Sequence, residues 1–95
     1  MQDKEFNCAA LTLKALSHPL RLKILYTLSS KALSVRDLAN TVGSSQSNVS
    51  HHLSNLRDKG MLVSTKDAKH VYYQLSDNRI INMIDMLNNL YGVRC

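Results

Sequence analysis

The amino-acid sequence predicts a mainly α fold with a small β-hairpin, five helices and two strands, within a single domain spanning residues 1–95. Three observations predict it. Apolar residues recur at spacings of three and four through residues 4–58 and again through 77–91, the repeat of an amphipathic helix. Between those stretches, residues 61–75 change to an alternating pattern, the repeat of a half-buried strand. Ninety-five residues is the length of one domain.

Residues 4–16 make the first helix. Phe6, Ala9, Ala10, Leu13 and Leu16 form its stripe, while Leu11 begins a second apolar patch on another face. A helix apolar on two sides needs two partners, and a second subunit would supply one. Cys8 lies near its beginning. Ser17, His18 and Pro19 end this helix and start the next, since proline fits a first helical turn where its missing N–H would have had no acceptor. The second helix runs to about residue 29, with Leu20, Ile24 and Leu28 on one line and Leu22 and Leu25 beside it. His18 is expected to be a cap or surface residue rather than a ligand.

Residues 29–33 connect to the stretch around which the chain is organised, residues 34–60. Val35, Leu38, Ala39 and Val42 fall on one stripe of a third helix. Gly43 ends it, because a residue without a Cβ takes the left-handed turn of a helix C-terminus. Ser44 or Ser45 then caps a fourth helix whose inward stripe is Val49, Leu53 and Leu56. At about 100° per residue, Ser47 and His51 fall opposite Val49, flanked by Asn48, Ser54 and Asn55. That outward face is short, polar and almost uncharged. A merely solvated helix would carry Glu and Lys there, whereas Ser, Asn, Gln and His are side chains that hydrogen-bond to base edges and phosphates. His52, next to the Val49 stripe, is expected to be structural. The arrangement is a helix-turn-helix.

After Gly60 the pattern gives a strand over 61–65, a turn over 66–69 and a strand over 70–75, in which Val71, Tyr73 and Leu75 alternate with Tyr72 and Gln74. A hairpin after a recognition helix is a wing, and the fold is therefore a winged helix-turn-helix with a two-stranded wing. Lys66, Lys69 and His70 at its tip are candidate DNA contacts. Arg36, Arg57 and Lys59 are further candidates for phosphates. Ser76 or Asp77 caps the last helix, which ends near residue 91; Ile80, Met83, Ile84, Leu87, Leu90 and Tyr91 form its stripe and Ile81 and Met86 widen it. So much apolar surface exceeds what a small domain covers, and it predicts a homodimer formed through the first and last helices.

Composition agrees. A net charge of +5 with 20% charged residues suits a polyanionic partner. A chain this short buries only roughly 60 to 70% of its unfolded surface, so a dimer interface would add needed stability. No apolar run reaches the roughly 18 residues that span a bilayer, and the N-terminal MQDKEFN lacks the apolar core of a signal peptide. The chain is expected to be cytoplasmic, without a membrane partner. There is no nucleophile elbow, phosphate loop, HExxH or CxxC, and the sequence argues against an enzyme. Use of the winged helix as a protein-interaction module is a competing reading, but it would need an apolar recognition-helix face that Ser47, His51, Ser54 and Asn55 do not supply.

The run LANTVGSSQSNVSHHLSNLRDKGMLV resembles the helix-turn-helix of the ArsR/SmtB family of repressors. LSHPLRLKIL resembles that family's second helix, and KHVYYQLSD its wing and the lead-in to its last helix. The resemblance covers nearly the whole chain. It implies a homodimeric transcriptional repressor that places one recognition helix from each subunit into successive major grooves of an imperfect palindromic operator in double-stranded DNA. It carries base and phosphate contacts onto Gln46, Ser47, Ser50 and His51. The helical wheel agrees for Ser47 and His51 and is looser for Gln46 and Ser50.

Members of the family release DNA on binding a metal or metalloid, or when thiols react. Where metal and arsenic sensors carry a Cys-x-Cys pair, this chain has Ser34 and Arg36. Where zinc sensors have Asp-x-His followed by His and Glu, it has Asp77 and Arg79, then residues near Leu90 and Val93. The resemblance therefore implies no metal site at those places and no cofactor. Thiol-switch members place one cysteine in the second helix and one at the end of the last; the matching positions here are Tyr26 and Gly92. Cys8 and Cys95 remain as redox or sensing candidates, close enough to react if the first and last helices pack antiparallel. A thiol or sulfur signal through this pair is the favoured inducer, with a metal- or metalloid-responsive repressor as the alternative.

Overall fold

Five helices and a small three-stranded antiparallel sheet make up the computed structural model, which describes residues 1–92. In chain order these are α1 (Asp3–Leu16), α2 (Pro19–Leu28), β1 (Leu33–Ser34), α3 (Val35–Val42), α4 (Gln46–Asp58), β2 (Leu62–Asp67), β3 (His70–Leu75) and α5 (Asn78–Tyr91). The mainly helical winged fold expected from the sequence is what forms.

Local signals set the helix ends. The backbone N–H of Gln2 donates to the Glu5 carboxylate, which starts α1 one residue earlier than its apolar stripe indicates. His18 caps α2: its Nδ1 accepts from the Leu20 N–H at 3.2 Å, with Pro19 at the first helical position. Asp77 caps α5, accepting from the Arg79 N–H at 2.8 Å.

α2, α3 and α4 close around one core. Ile24 and Leu25 of α2, Leu38 of α3, and Val49, Leu53 and Leu56 of α4 are all 0% exposed. Each such side chain contributes roughly 1.5–3 kcal/mol by leaving water. Leu28, Ala39 and Val42 extend this core within the three helices, and Leu16 of α1, Met61, Leu62 of β2, Leu75 of β3 and Ile84 of α5 complete it.

The sheet differs from the expected two-stranded wing in two respects. Leu33 and Ser34, read as connector and helix start, form a third strand pairing with Tyr73 and Tyr72, so the order is β1-β3-β2. Two residues carry no periodicity, and their pairing is decided by β3 lying alongside. The hairpin is also tighter than the expected turn over 66–69: Lys66 and Asp67 continue β2, pairing with Val71 and His70, and only Ala68 and Lys69 turn the chain. Ala68 has φ +56°, a left-handed backbone more usual for glycine. At the other end of the wing the Ser76 hydroxyl donates to the Gly60 carbonyl at 2.6 Å, fastening the exit of β3 to the end of the helix-turn-helix.

α1 and α5 are not closed in this way. Of the α1 stripe only Leu16 is buried, together with Ala15; Phe6 and Leu13 are 56% and 63% exposed. Of the α5 stripe only Ile84 is buried, while Met86, Leu90 and Tyr91 face out. No described helix is long and apolar enough to cross a membrane.

Candidate nucleic-acid interface

α3 and α4 are held at a fixed angle by paired chain ends. Ser34 Oγ accepts from the Asp37 N–H at 3.2 Å and starts α3. Gly43, at φ +73° and ψ +40°, ends it in the left-handed conformation that its sequence position suggested. Lys23 of α2 reaches across and donates to the carbonyl of Val42, giving the last turn of α3 a donor that its free carbonyl would otherwise lack. Of the two serines offered as caps for α4, Ser45 takes the role, accepting from the Asn48 N–H at 3.1 Å. Ser44 instead accepts from the Asn48 side-chain amide at 2.9 Å.

With Val49, Leu53 and Leu56 turned into the core, α4 presents Gln46, Ser47, Ser50, His51 and Ser54 to solvent. The stretch from Ser44 to Arg57 contains no carboxylate, so nothing on this helix repels a phosphate until Asp58 at its last position. The geometry brings Gln46 and Ser50 onto the same open side as Ser47 and His51, although the wheel placed them near its edge. Asn55 departs from the expected outward position: it is half-buried, with its Oδ1 enclosed and without a hydrogen-bond partner.

The three wing candidates are all exposed but do not share a face. Lys66 pairs with Val71 and so stands on the sheet face opposite to His70, which pairs with Asp67. Lys69 lies in the turn between them. His70 also stands beside Tyr72, with ring centroids 6.2 Å apart.

Behind this open face of α4 is a cluster that periodicity alone did not show. His52, 6% exposed, receives through its Nδ1 the Nε–H of Arg21 at 3.0 Å. The same guanidinium donates to the Ala15 carbonyl at 3.1 Å. The His18 ring lies 4.6 Å and the His51 ring 5.6 Å from that of His52, between centroids. Burial lowers the His52 pKa below its usual value, and the charges of His18, Arg21 and His51 push the same way. Arg21 was not singled out by the sequence. One signal existed: it falls three, four and seven residues before Ile24, Leu25 and Leu28, a charged group on an otherwise apolar line.

The positions that hold ligands in sensors of the resembled family are differently occupied. Arg79 engages both carboxylate oxygens of Asp77, closest at 2.6 Å, and this hydrogen-bonded pairing holds the Asp77 pKa down at about 2. Tyr26 and Gly92 line a shared apolar cleft of 390 Å³ between α2 and α5, together with Leu22, Ile84 and Leu87. Cys8 is exposed on α1 with a free thiol, and Cys95 lies outside the described residues. Among the described residues no three His, Cys, Asp or Glu side chains come together as a metal-binding group.

Comparison with known proteins places this geometry. Residues 18–64 match the family of bacterial regulatory proteins described as the arsR family. The nodulation protein NolR of Rhizobium meliloti is 38% identical over 91 residues, a match spanning 96% of this chain and 75% of NolR. The chain belongs to the ArsR family. Among solved structures, reduced HlyU from Vibrio cholerae N16961 superimposes with a TM-score of 0.86 at 38% identity, covering 94% of each chain. HlyU is named a transcriptional activator. The transcriptional repressor BigR from Xylella fastidiosa superimposes at 0.84 with 30% identity, covering 94% of this chain and 91% of its own. As an ArsR protein this chain is a transcriptional regulator, not an enzyme.

Proposed function

We propose that the protein is a DNA-binding transcriptional repressor that acts as a homodimer on an imperfect palindromic operator. The observation that carries this reading is the exposed row on α4, where Gln46, Ser47, Ser50 and His51 stand free above a buried stripe, with no carboxylate among them. These side chains read base edges and phosphates in the major groove. Lys66, Lys69 and His70 reach the flanking backbone or minor groove, and because the wing candidates divide between two sheet faces, they straddle a strand rather than line one side of it. The uncovered apolar faces of α1 and α5 support pairing of two subunits, which sets the two α4 helices roughly one helical turn, about 34 Å, apart on the duplex. The regulatory sign follows from exclusion: a dimer seated on a promoter blocks polymerase.

Release is assigned to a thiol or sulfur signal acting through Cys8 and Cys95. The exposed thiol of Cys8 supports it. A duplex selected from a randomised pool by the reduced protein tests both parts. Ser47→Ala with His51→Ala should weaken binding to that duplex at least about tenfold while the dimer stays folded; unchanged specific binding would refute the placement of the interface. Replacing both cysteines by serine should abolish release by diamide or persulfide. Release that persists in that variant removes the thiol assignment and leaves the DNA-binding one standing.

A further inference from the structure

Arg21 and His52 are 31 positions apart in the chain and meet behind the proposed DNA-reading face. Through Nε the Arg21 guanidinium holds His52 in the middle of α4, and through a terminal nitrogen it holds the Ala15 carbonyl in the last turn of α1. One side chain on α2 therefore ties three helices. The apolar stripe of Val49, Leu53 and Leu56 fastens α4 to the core, but apolar contact has no preferred direction. A bond from a guanidinium N–H to a ring nitrogen does, and it weakens steeply when bent. Rotating α4 about its axis would swing His51, the exposed neighbour of His52, and would break that bond.

We propose that Arg21 is a positioning residue for DNA recognition, acting through His52 to fix the rotation of α4 and hence the direction in which Ser47, Ser50 and His51 point. The proposal rests on the reading of α4 as the recognition helix.

It has a chemical signature. His52 accepts at Nδ1 only as a neutral ring with its proton on Nε2; a protonated ring has no acceptor left. The groups facing His52 are Arg21 on α2, His18 at the start of α2 and His51 on α4 itself. From α1 come the Ala15 carbonyl and, bordering the adjoining cleft with Arg21 and Asn55, Lys14, while Lys59 borders it from the end of α4. The charges in this set are all positive. Acid strong enough to protonate His52 turns the acceptor into a donor, sets two cations side by side and releases α4 from its angle. Added positive charge by itself strengthens binding to any duplex, so the loss is read in preference for the selected sequence over a random one.

The experiment measures that preference ratio for the wild-type protein, using a duplex it selects near pH 8 from a randomised pool and a random duplex of equal length. Both are titrated at fixed ionic strength from about pH 8 to about pH 4.5, because burial holds His52 below the ordinary histidine value and its protonation needs more acid than that of a free ring. The wild-type ratio should fall at least about tenfold on acidification, the worth of a hydrogen bond to a charged group. In His52→Asn the side-chain Oδ1, bonded to Cγ as Nδ1 is, still accepts from Arg21 but does not titrate; the ratio near pH 8 should stay within about threefold of wild type and the acid drop should vanish. In His52→Leu, folded by circular dichroism, the ratio should already be down about tenfold near pH 8, with random-duplex binding unchanged. Should that variant not fold, Arg21→Met, which leaves His52 as a neutral buried ring, should show the same loss. The ¹⁵N signal of His52 Nδ1 should report an unprotonated acceptor in wild type near pH 8.

A folded His52→Leu or Arg21→Met protein with the wild-type ratio overturns the proposal, as does a His52→Asn protein that keeps the acid drop. If the wild type selects no duplex at all, the recognition-helix reading fails and this proposal falls with it. A wild-type preference that neither variant alters defeats this proposal alone.

Discussion

The α3–α4 pair and the α1–α5 pair each carry a regular apolar stripe in sequence, yet the protein treats them differently. In α3 and α4 each residue of the predicted apolar stripe is buried or half-buried, and Leu38, Val49, Leu53 and Leu56 have no exposed surface. In α1 and α5 the stripes are equally regular, but Phe6, Leu13, Met86 and Leu90 remain in water. Periodicity establishes that a helix has an apolar face. It does not say whose surface covers that face. The first pair is finished within its own chain and offers its polar side outward; the second offers its apolar side outward, which is the form of a subunit contact.

The contrast can be broken most severely at a buried position. Leu53→Ala should cost about 2–5 kcal/mol in denaturant unfolding, whereas Leu13→Ala, cut from a surface without a partner in the chain, should cost under about 1 kcal/mol at concentrations where subunits are apart. Equal costs would mean that α1 is covered by its own chain. Next in size is the dimer itself. Leu13→Glu with Met86→Glu places carboxylates on the open faces and should yield folded monomers in sedimentation, with selected-duplex affinity down about a hundredfold, ~2.7 kcal/mol. A dimer that survives both charges would locate the subunit contact elsewhere.

The wing supplies a smaller and opposite effect. Ala68 carries a Cβ at φ +56°, which costs an L-residue roughly 1–2 kcal/mol, so Ala68→Gly should stabilise the fold by about 1 kcal/mol once glycine's greater freedom in the unfolded chain is set against it. Thermal unfolding reads this directly. The smallest effect belongs to Asp77, whose carboxylate is held by Arg79 well under its ordinary 3.8, at about 2. A group with a lowered folded pKa stabilises above its unfolded pKa and loses that contribution as pH falls through the folded one. Stability should therefore decline between about pH 4 and about pH 2 more steeply in wild type than in Asp77→Asn, by a modest margin because the pair is exposed.

Legibility followed the range of the interactions involved. Gly43, a serine cap at Ser44 or Ser45, the structural place of His52 and the inward stripe of α4 depend on residues within one or two turns of each other, and the sequence carries them, leaving only the choice between the two serines to the structure. β1 was not legible, because Leu33 and Ser34 become a strand only by lying against Tyr73 and Tyr72, some forty residues later. The hairpin turn was placed too wide because KDAKH lacks the glycine or asparagine that marks a two-residue turn, and Ala68 takes the left-handed position in its stead. Arg21 was not singled out in the sequence, because its bond to His52 exists only once two helices have packed. Gln46 and Ser50 were assigned by family resemblance more than by the wheel, and both lie on the open side of α4.

Backbone amide mapping by NMR tests the central assignment most directly. The wild-type protein is titrated with its selected duplex at constant salt. The account predicts that the largest shifts fall on α4 from Gln46 to His51, with smaller ones at Lys66, Lys69 and His70, saturating at two chains per duplex. Shifts confined to α1, α5 or the α2–α5 cleft, with α4 unmoved, would contradict it.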